Sequence, residues 1–421
     1  MRLAASDTQR RNRGWWAPVG RASAAARGQA DLVRRSGDLK RELVDFAQQR
    51  RFARAFRQVA RGRFGLAAVG EEWEVANLLD AFMLQHRLPD GRSVVEQFVA
   101  EHSELPEQER DMLLGWQDVV EGIFQVKRRQ GGALVADNLV DGLTYRVRSN
   151  MGPAALATVR PGSFLIARLL PVGDQWLLSG VASMLPAGSR VEAGQVAEEL
   201  LARRPELVFR NPERLARAWE LQREERCHFI AFFGSDLVVL PGPEVAEHMR
   251  AYAHFLVNGV RDEKGQSAAD RARQLHGVVA SVPDYGLPAE LCEADTVGVV
   301  FDQVEGLHFL AGFGLVQEAF TNPELAADRV HRQAVLGYLK EPSIPPLAVR
   351  RLAEQGPERA SQVLRRALKR PGFSWERDGE ALLRRHKASY FEGPVLPSVT
   401  PVAGFLADHF RRAHRPDRGG N

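Results

Sequence analysis

The sequence predicts an α+β protein, mostly helical, with a small antiparallel β-barrel of the SH3-like or OB-like kind embedded in its first half. Its C-terminal half reads as helical with a few short strands. Three observations carry this. Apolar residues recur every three to four positions through most of the chain, which is the helical period. Between about residues 121 and 186 the period drops to two, and Gly-Gly, Asp-Gly and Gly-Asp pairs interrupt it at hairpin spacing. A chain of 421 residues exceeds what one core holds, so two or three domains are expected.

Residues 1–30 mix Arg, Ala, Gly, Pro and Ser around Trp15-Trp16 and read as a disordered basic arm. Residues 31–120 read as a helical domain. In 38–61, Leu39, Leu43, Phe46, Ala53, Phe56 and Ala60 mark one helix, slipping once at Arg50, with Arg41, Arg51, Arg54 and Arg61 on its other face. Such a basic amphipathic helix binds an acidic partner or simply buries its apolar side. Glu71–Leu84, a segment from Ser93 and Glu107–Val120 are further helices, separated by Leu88-Pro89-Asp90-Gly91 and Leu105-Pro106.

Residues 121–186 form the β-module. Strands are expected from Ile123 to Arg129, Ala133 to Asn138, Leu143 to Arg148, Phe164 to Leu170 and Trp176 to Met184. Residues 187–260 read as helical with one short strand, Asp236–Leu240, and Asn211-Pro212-Glu213 is a helix start. Residues 259–270 are the best linker candidate. Residues 271–410 read as a mostly helical domain that opens on a buried strand, Thr296–Phe301, and has a second helix start at Asn322-Pro323-Glu324.

Part of this pattern is specific enough to suggest relatives. Leu105-Pro106-Glu107-Gln108-Glu109-Arg110 leads to Trp116, then to Gly122-Ile123-Phe124-Gln125-Val126 and Asn138-Leu139-Val140-Asp141. Pro161-Gly162-Ser163-Phe164 and Gly173-Asp174-Gln175-Trp176 follow. Over about residues 105–186 the chain resembles bacterial proteins associated with the SEC-C motif. The resemblance implies the β-module and a cytosolic setting. It does not imply zinc, because the Cys-x-Cys pair of that motif is missing: Cys227-His228 and Cys292 are the only cysteine sites.

Two isolated cysteines exclude a disulfide framework and suggest a reducing, cytoplasmic compartment. No run approaches the roughly 20 apolar residues of a membrane span, so no membrane partner is expected. The net charge of +4 hides an asymmetry: the first 65 residues sum to +11 and the remainder to −7. A basic arm on a mildly acidic body attracts polyanions, although a solvated Arg-rich tail has the same composition.

No phosphate-cradling loop occurs, and in Gly312-Phe313-Gly314 the third glycine of a dinucleotide fingerprint is replaced by Gln317. Gly234-Ser235-Asp236 precedes a strand where a nucleophile elbow follows one. His248 and His254 are six apart on a helix and face different ways. No catalytic residue, metal or cofactor is therefore assigned. Two constellations remain. Lys127, Arg128, Arg129, Arg146, Arg148 and Arg168 lie in the β-module with Phe124, Tyr145, Phe164 and Trp176, the charge and ring faces that single-stranded nucleic acid needs, although Phe124 and Phe164 are expected to fill the interior of the barrel. Asp302, Glu305 and His308 follow a strand, where acid–base groups can converge. Three functions stay open: a non-enzymatic binding or adaptor protein for RNA, a ribonucleoprotein or an acidic protein; an enzyme using the second constellation; and a protein–protein scaffold on the helices of 323–387. In the last case the eleven basic and six acidic side chains of 345–393 would recruit an acidic partner.

Overall fold

The computed structural model describes residues 24–64, 72–276, 282, 284–401, 405 and 406. Trp15-Trp16, most of the expected basic arm and the tail after Arg411 lie outside the described residues. The protein is a mixed, mainly helical α and β structure that folds as two compact units. The first runs up to Asn211 and includes Phe405 and Leu406; the second is Pro212–Pro401.

The first unit opens with helices α1 (Ala24–Ala47), α2 (Ala53–Phe64), α3 (Glu72–Leu84), α4 (Val94–Glu101) and α5 (Glu107–Gly115). Helix α1 starts inside the segment expected to be disordered. The single helix expected over 38–61 is instead two helices, broken at the slip in its apolar period. Phe46 and Phe52 are six positions apart, which on one straight helix is about 240° of rotation. The turn at 48–52 brings both rings into one core at 5.5 Å. Helix α4 begins with a capping box. Ser93 Oγ accepts from the Glu96 amide at 3.3 Å, and the Glu96 carboxylate accepts from the Ser93 amide at 2.7 Å.

Five strands follow: β1 (Val120–Gln130), β2 (Ala133–Asn138), β3 (Thr144–Arg148), β4 (Phe164–Val172) and β5 (Gln175–Leu185). They pair in the cyclic order β1-β2-β3-β5-β4 and close into a barrel. All neighbours are antiparallel except β3 and β5, which run parallel through Val147–Trp176 and Arg148–Leu177. Strand β1 serves two partners, β4 with its first half and β2 with its second, and a bulge at Lys127 lets it turn between them. Phe124, Val126, Leu134, Ala136, Tyr145, Val147, Leu165 and Leu169 fill the interior. Leu156 and Val159, from the 149–160 connection with its 3-10 turn Pro153–Leu156, join that core. The helices and the barrel are not separate domains: Leu170, Val172 and Leu177 sit in the same apolar cluster as Leu39, Phe82, Phe98 and Trp116. Helix α6 (Arg190–Arg203) and a 3-10 stretch, Pro205–Arg210, complete the unit.

The unit boundary falls at Asn211-Pro212, the expected helix start, and not in 259–270. Those residues are built into the second unit. Asp262 accepts from the Lys264 and Gln266 amides, both at 2.9 Å, and pairs with Arg271 at 2.6 Å, which ties the turn to helix α9 (Ala268–His276). Ahead of it come α7 (Pro212–Phe233), β6 (Leu237–Pro241) and α8 (Gly242–His254). After it come α10 (Ala289–Cys292), β7 (Thr296–Asp302) and β8 (Gly306–Ala311). The sheet order is β6-β7-β8, antiparallel throughout. The apolar run at Thr296–Phe301 is thus the central strand, buried on both faces. Helices α11 (Phe313–Thr321), α12 (Arg329–Lys340), α13 (Pro346–Glu354), α14 (Pro357–Leu368) and α15 (Trp375–His386) share a core around Phe313, Leu339, Leu352 and Leu364.

Candidate anion-binding surfaces of the first unit

In a barrel of this size the strand alternation decides which side chains meet solvent. On β3, Tyr145 and Val147 turn inward, so Thr144, Arg146 and Arg148 turn outward. The register places Arg128, Val135 and Arg146 side by side across β1, β2 and β3, hence on one outer row. Arg128 makes no hydrogen bond or ion pair with any described residue. Arg146 makes none either, and its Nε is sealed from solvent without an acceptor. Arg148 donates from Nε to the Gln175 amide oxygen, a neutral group. The face therefore carries three guanidinium groups with no described carboxylate to neutralise them. Lys127, on the bulge beside this row, is compensated: its Nζ lies 3.3 Å from Asp137 and donates to Gln125 Oε1 at 2.8 Å.

The other two predicted cations are elsewhere. Arg129 pairs with inward-facing Leu134 and donates to the carbonyls of Leu156 and Ala157, closing one end of the barrel. Arg168 lies on the wall covered by α3. Its Nε donates to Asp80 Oδ2 at 3.0 Å, Nη2 to Gln85 at 2.9 Å and Nη1 to Glu121 at 3.4 Å. It is a largely buried structural ion with its donors engaged.

The aromatic residues do not form a stacking platform. Phe124, Tyr145 and Phe164 are buried, and Phe124, Tyr145 and half-buried Trp176 pack edge to face at 5.5 and 5.2 Å. The Tyr145 hydroxyl donates to Asp141 Oδ2 at 2.6 Å, and Asn138 Nδ2 donates to the same oxygen at 3.0 Å. Burial pushes both the Asp141 carboxyl and the Tyr145 hydroxyl above their ordinary values. This buried network fixes the β2–β3 turn and takes Tyr145 out of any role at the surface.

Helix α2 adds a second basic surface. Arg54, Arg57 and Arg61, at i, i+3 and i+7, are exposed, and the only described contact among them is Arg57 Nε to the Ala53 carbonyl at 3.1 Å. Arg41 and Arg51, expected on the same basic face, are instead paired with Asp38 and Glu101.

The remaining feature of this unit is a cleft that sequence reasoning missed. Its floor is the outer wall of β1, β4 and β5, and its sides are α3 and α6. Its residues span from Arg63 to Arg204, and no local motif joins them. The one sequence signal was Trp73, an indole on the polar first turn of a helix, which is 48% exposed on the cleft wall.

In the second unit, the Asp302, Glu305 and His308 constellation is the β7–β8 turn. Asp302 Oδ1 accepts from the Val304 amide at 2.7 Å and the Glu305 amide at 3.0 Å, so it organises the turn. His308 Nε2 lies 3.1 Å from the Glu305 carbonyl and 3.8 Å from its carboxylate. Burial pushes the Glu305 carboxyl up, with Asp302 adding to the effect, and pushes the His308 imidazole down. Among the described residues no three His, Cys, Asp or Glu side chains converge as metal ligands. No helix among them is long and apolar enough to cross a membrane.

The chain matches no family model, no curated protein and no solved structure.

Proposed function

We propose that the first unit is a non-enzymatic binding module for a flexible polyanion, single-stranded RNA fitting best, which docks on the outer face of β1, β2 and β3. The observation that carries this is the row of Arg128, Arg146 and Arg148, three guanidinium groups on one sheet face without a described carboxylate partner. Arg168, on the opposite wall, is neutralised by Asp80 and Glu121, and Arg129 is turned to the Leu156 and Ala157 carbonyls. We read the barrel as OB-like. The cyclic order β1-β2-β3-β5-β4 with parallel β3 and β5 supports that reading, and in the OB-fold the β2–β3 face is the one that takes oligonucleotides. The exposed arginines of α2 add to the positive field of the same unit. Two free cysteines fit a cytoplasmic setting. Kinship with the SEC-C-associated proteins over 105–186 belongs to the same proposal.

Because the rings are turned inward, affinity comes from phosphates alone and is tolerant of sequence. The test is fluorescence anisotropy of labelled oligouridine and oligoadenosine with the full chain across a sodium chloride series. Similar affinities for both are expected. On single strands each neutralised phosphate contributes about −0.7 to the slope of log K against log salt. Replacing Arg128, Arg146 and Arg148 by Ala therefore flattens the slope by about 2. An unchanged slope in that variant, with folding intact, overturns the proposal.

A further inference from the structure

We propose that the cleft between α3, the β1–β4–β5 wall and α6 binds an amphiphilic organic monoanion, an apolar body ended by one carboxylate. This site is separate from the polyanion face and does not depend on it. The cleft holds about 530 Å³, within the roughly 300–1,000 Å³ of ligand-sized sites. Its floor is aliphatic: Ile123 from β1, Ile166 from β4 and Val181 from β5, with Leu78 and Leu200 from the flanking helices. Val181 is 45% exposed there, facing the half-exposed indole of Trp73. Large apolar side chains left open to water inside a concave surface are the features of a site that takes an apolar group.

The charges decide how many anionic groups the ligand carries. Four arginines reach the cleft, but two are spent. Arg168 has its donors on Asp80, Gln85 and Glu121, and Arg204 gives Nη1 to Glu121 at 3.1 Å and Nε to Glu206 at 2.7 Å. Arg203 donates Nε to the Glu199 carbonyl at 3.2 Å and has only a loose 3.7 Å contact with that carboxylate. Arg63 has no partner among the described residues. One free and one half-free guanidinium group suit a single carboxylate.

The test uses 8-anilinonaphthalene-1-sulfonate as fluorescent probe on the full chain, with decanoate and decanol as competitors. The expected result is saturable enhancement, displaced by decanoate well before decanol. In Arg63→Ala/Arg203→Ala, decanoate weakens about tenfold or more while decanol is unchanged. Trp73→Ala weakens both. Arg128→Ala/Arg146→Ala/Arg148→Ala leaves all of this intact, which separates the site from RNA binding. The proposal is overturned by non-saturable probe binding, by equal displacement by decanoate and decanol, or by wild-type decanoate affinity in the double arginine variant.

Discussion

Removing the carboxylate of Asp80 is the perturbation whose effect follows most directly from the structure. Asp80 is 2% exposed and serves three distant parts of the chain. Lys40 Nζ donates to Oδ1 at 2.6 Å, Ser179 Oγ to the same oxygen at 2.5 Å, and Arg168 Nε to Oδ2 at 3.0 Å. Burial alone would raise this carboxyl, but Lys40 and Arg168 outweigh burial and hold it below the usual range. Asp80→Ala leaves the largely buried Lys40 ammonium with no described carboxylate and Arg168 with Glu121 at 3.4 Å and the neutral Gln85 at 2.9 Å. Breaking a buried pair from one side costs about 3–5 kcal/mol, and the stranded Lys40 ammonium places this variant in that range. The loss is a large share of the roughly 5–15 kcal/mol that holds an ordinary domain.

With two units in one chain, a single melting curve mixes two events. Hydrogen exchange read on peptides from α3 and β5 isolates the first unit, and protection there is expected to collapse. Lys40→Met combined with Asp80→Asn should recover part of the loss, because the amide still accepts from Ser179 and one orphaned charge is gone. The folded carboxyl titrates below its unfolded value of about 3.9, so its contribution is present above that pH and lost as pH falls through the folded value. The Asp80→Ala variant should lack this acid limb. A cost under about 1 kcal/mol, or a double variant no better than the single one, would refute the electrostatic account.

Two further outcomes are expected. Gly180 has φ +65°, and a Cβ there meets the side chain of Asn77, which accepts from the Val181 amide at 2.7 Å and donates to its carbonyl at 3.2 Å. Gly180→Ala should cost about 2 kcal/mol or more by hydrogen exchange on β5 peptides, exceeding Asn77→Ala, and a neutral outcome would contradict the left-handed backbone. His308 is held below its ordinary value by burial, so the unfolded chain binds a proton that the folded chain refuses. Through His308, stability of the second unit should fall as pH drops through about 6.5, and His308→Gln should weaken that dependence in pH-stepped urea unfolding, with His386, also held low by burial, supplying a remaining part.

The barrel was legible because its signals are local. The period changes at Gly122, and Gly131-Gly132 and Gly173-Asp174 each carry the residues a tight hairpin demands. Gly131, Gly132 and Gly173 all take positive φ, the conformation for which glycine is suited. What pairs with what was not legible, since β1 meets β4 some forty residues later. Phe124 and Phe164 are interior, as their apolar character suggests, but Tyr145 and Trp176 looked like stacking groups because composition does not say which side of a strand faces the core. The register does, and it turns Tyr145 inward with Trp176 packed against the same core. Among the cations, spacing placed Arg146 and Arg148 on one face, but it did not reveal that α3 would bring Asp80 against Arg168. The break at 48–52 followed the slip at Arg50, where two Phe residues out of helical phase both had to be buried. The cleft had no linear signature, because its walls come from α2, α3, β1, β4, β5 and α6, spread along the chain from Arg63 to Arg204.

The shared strand β1 has a consequence for how the chain reaches this structure. Its second half finds β2 across a two-residue turn, so that hairpin forms as soon as Asn138 is available. Its first half must wait for β4, and the ring is sealed only by the parallel contact of β3 with β5 at Trp176 and Leu177. During synthesis the open edges of β1 and β3 are therefore exposed while about forty residues are still being added, an interval in which pairing with another chain competes with closure.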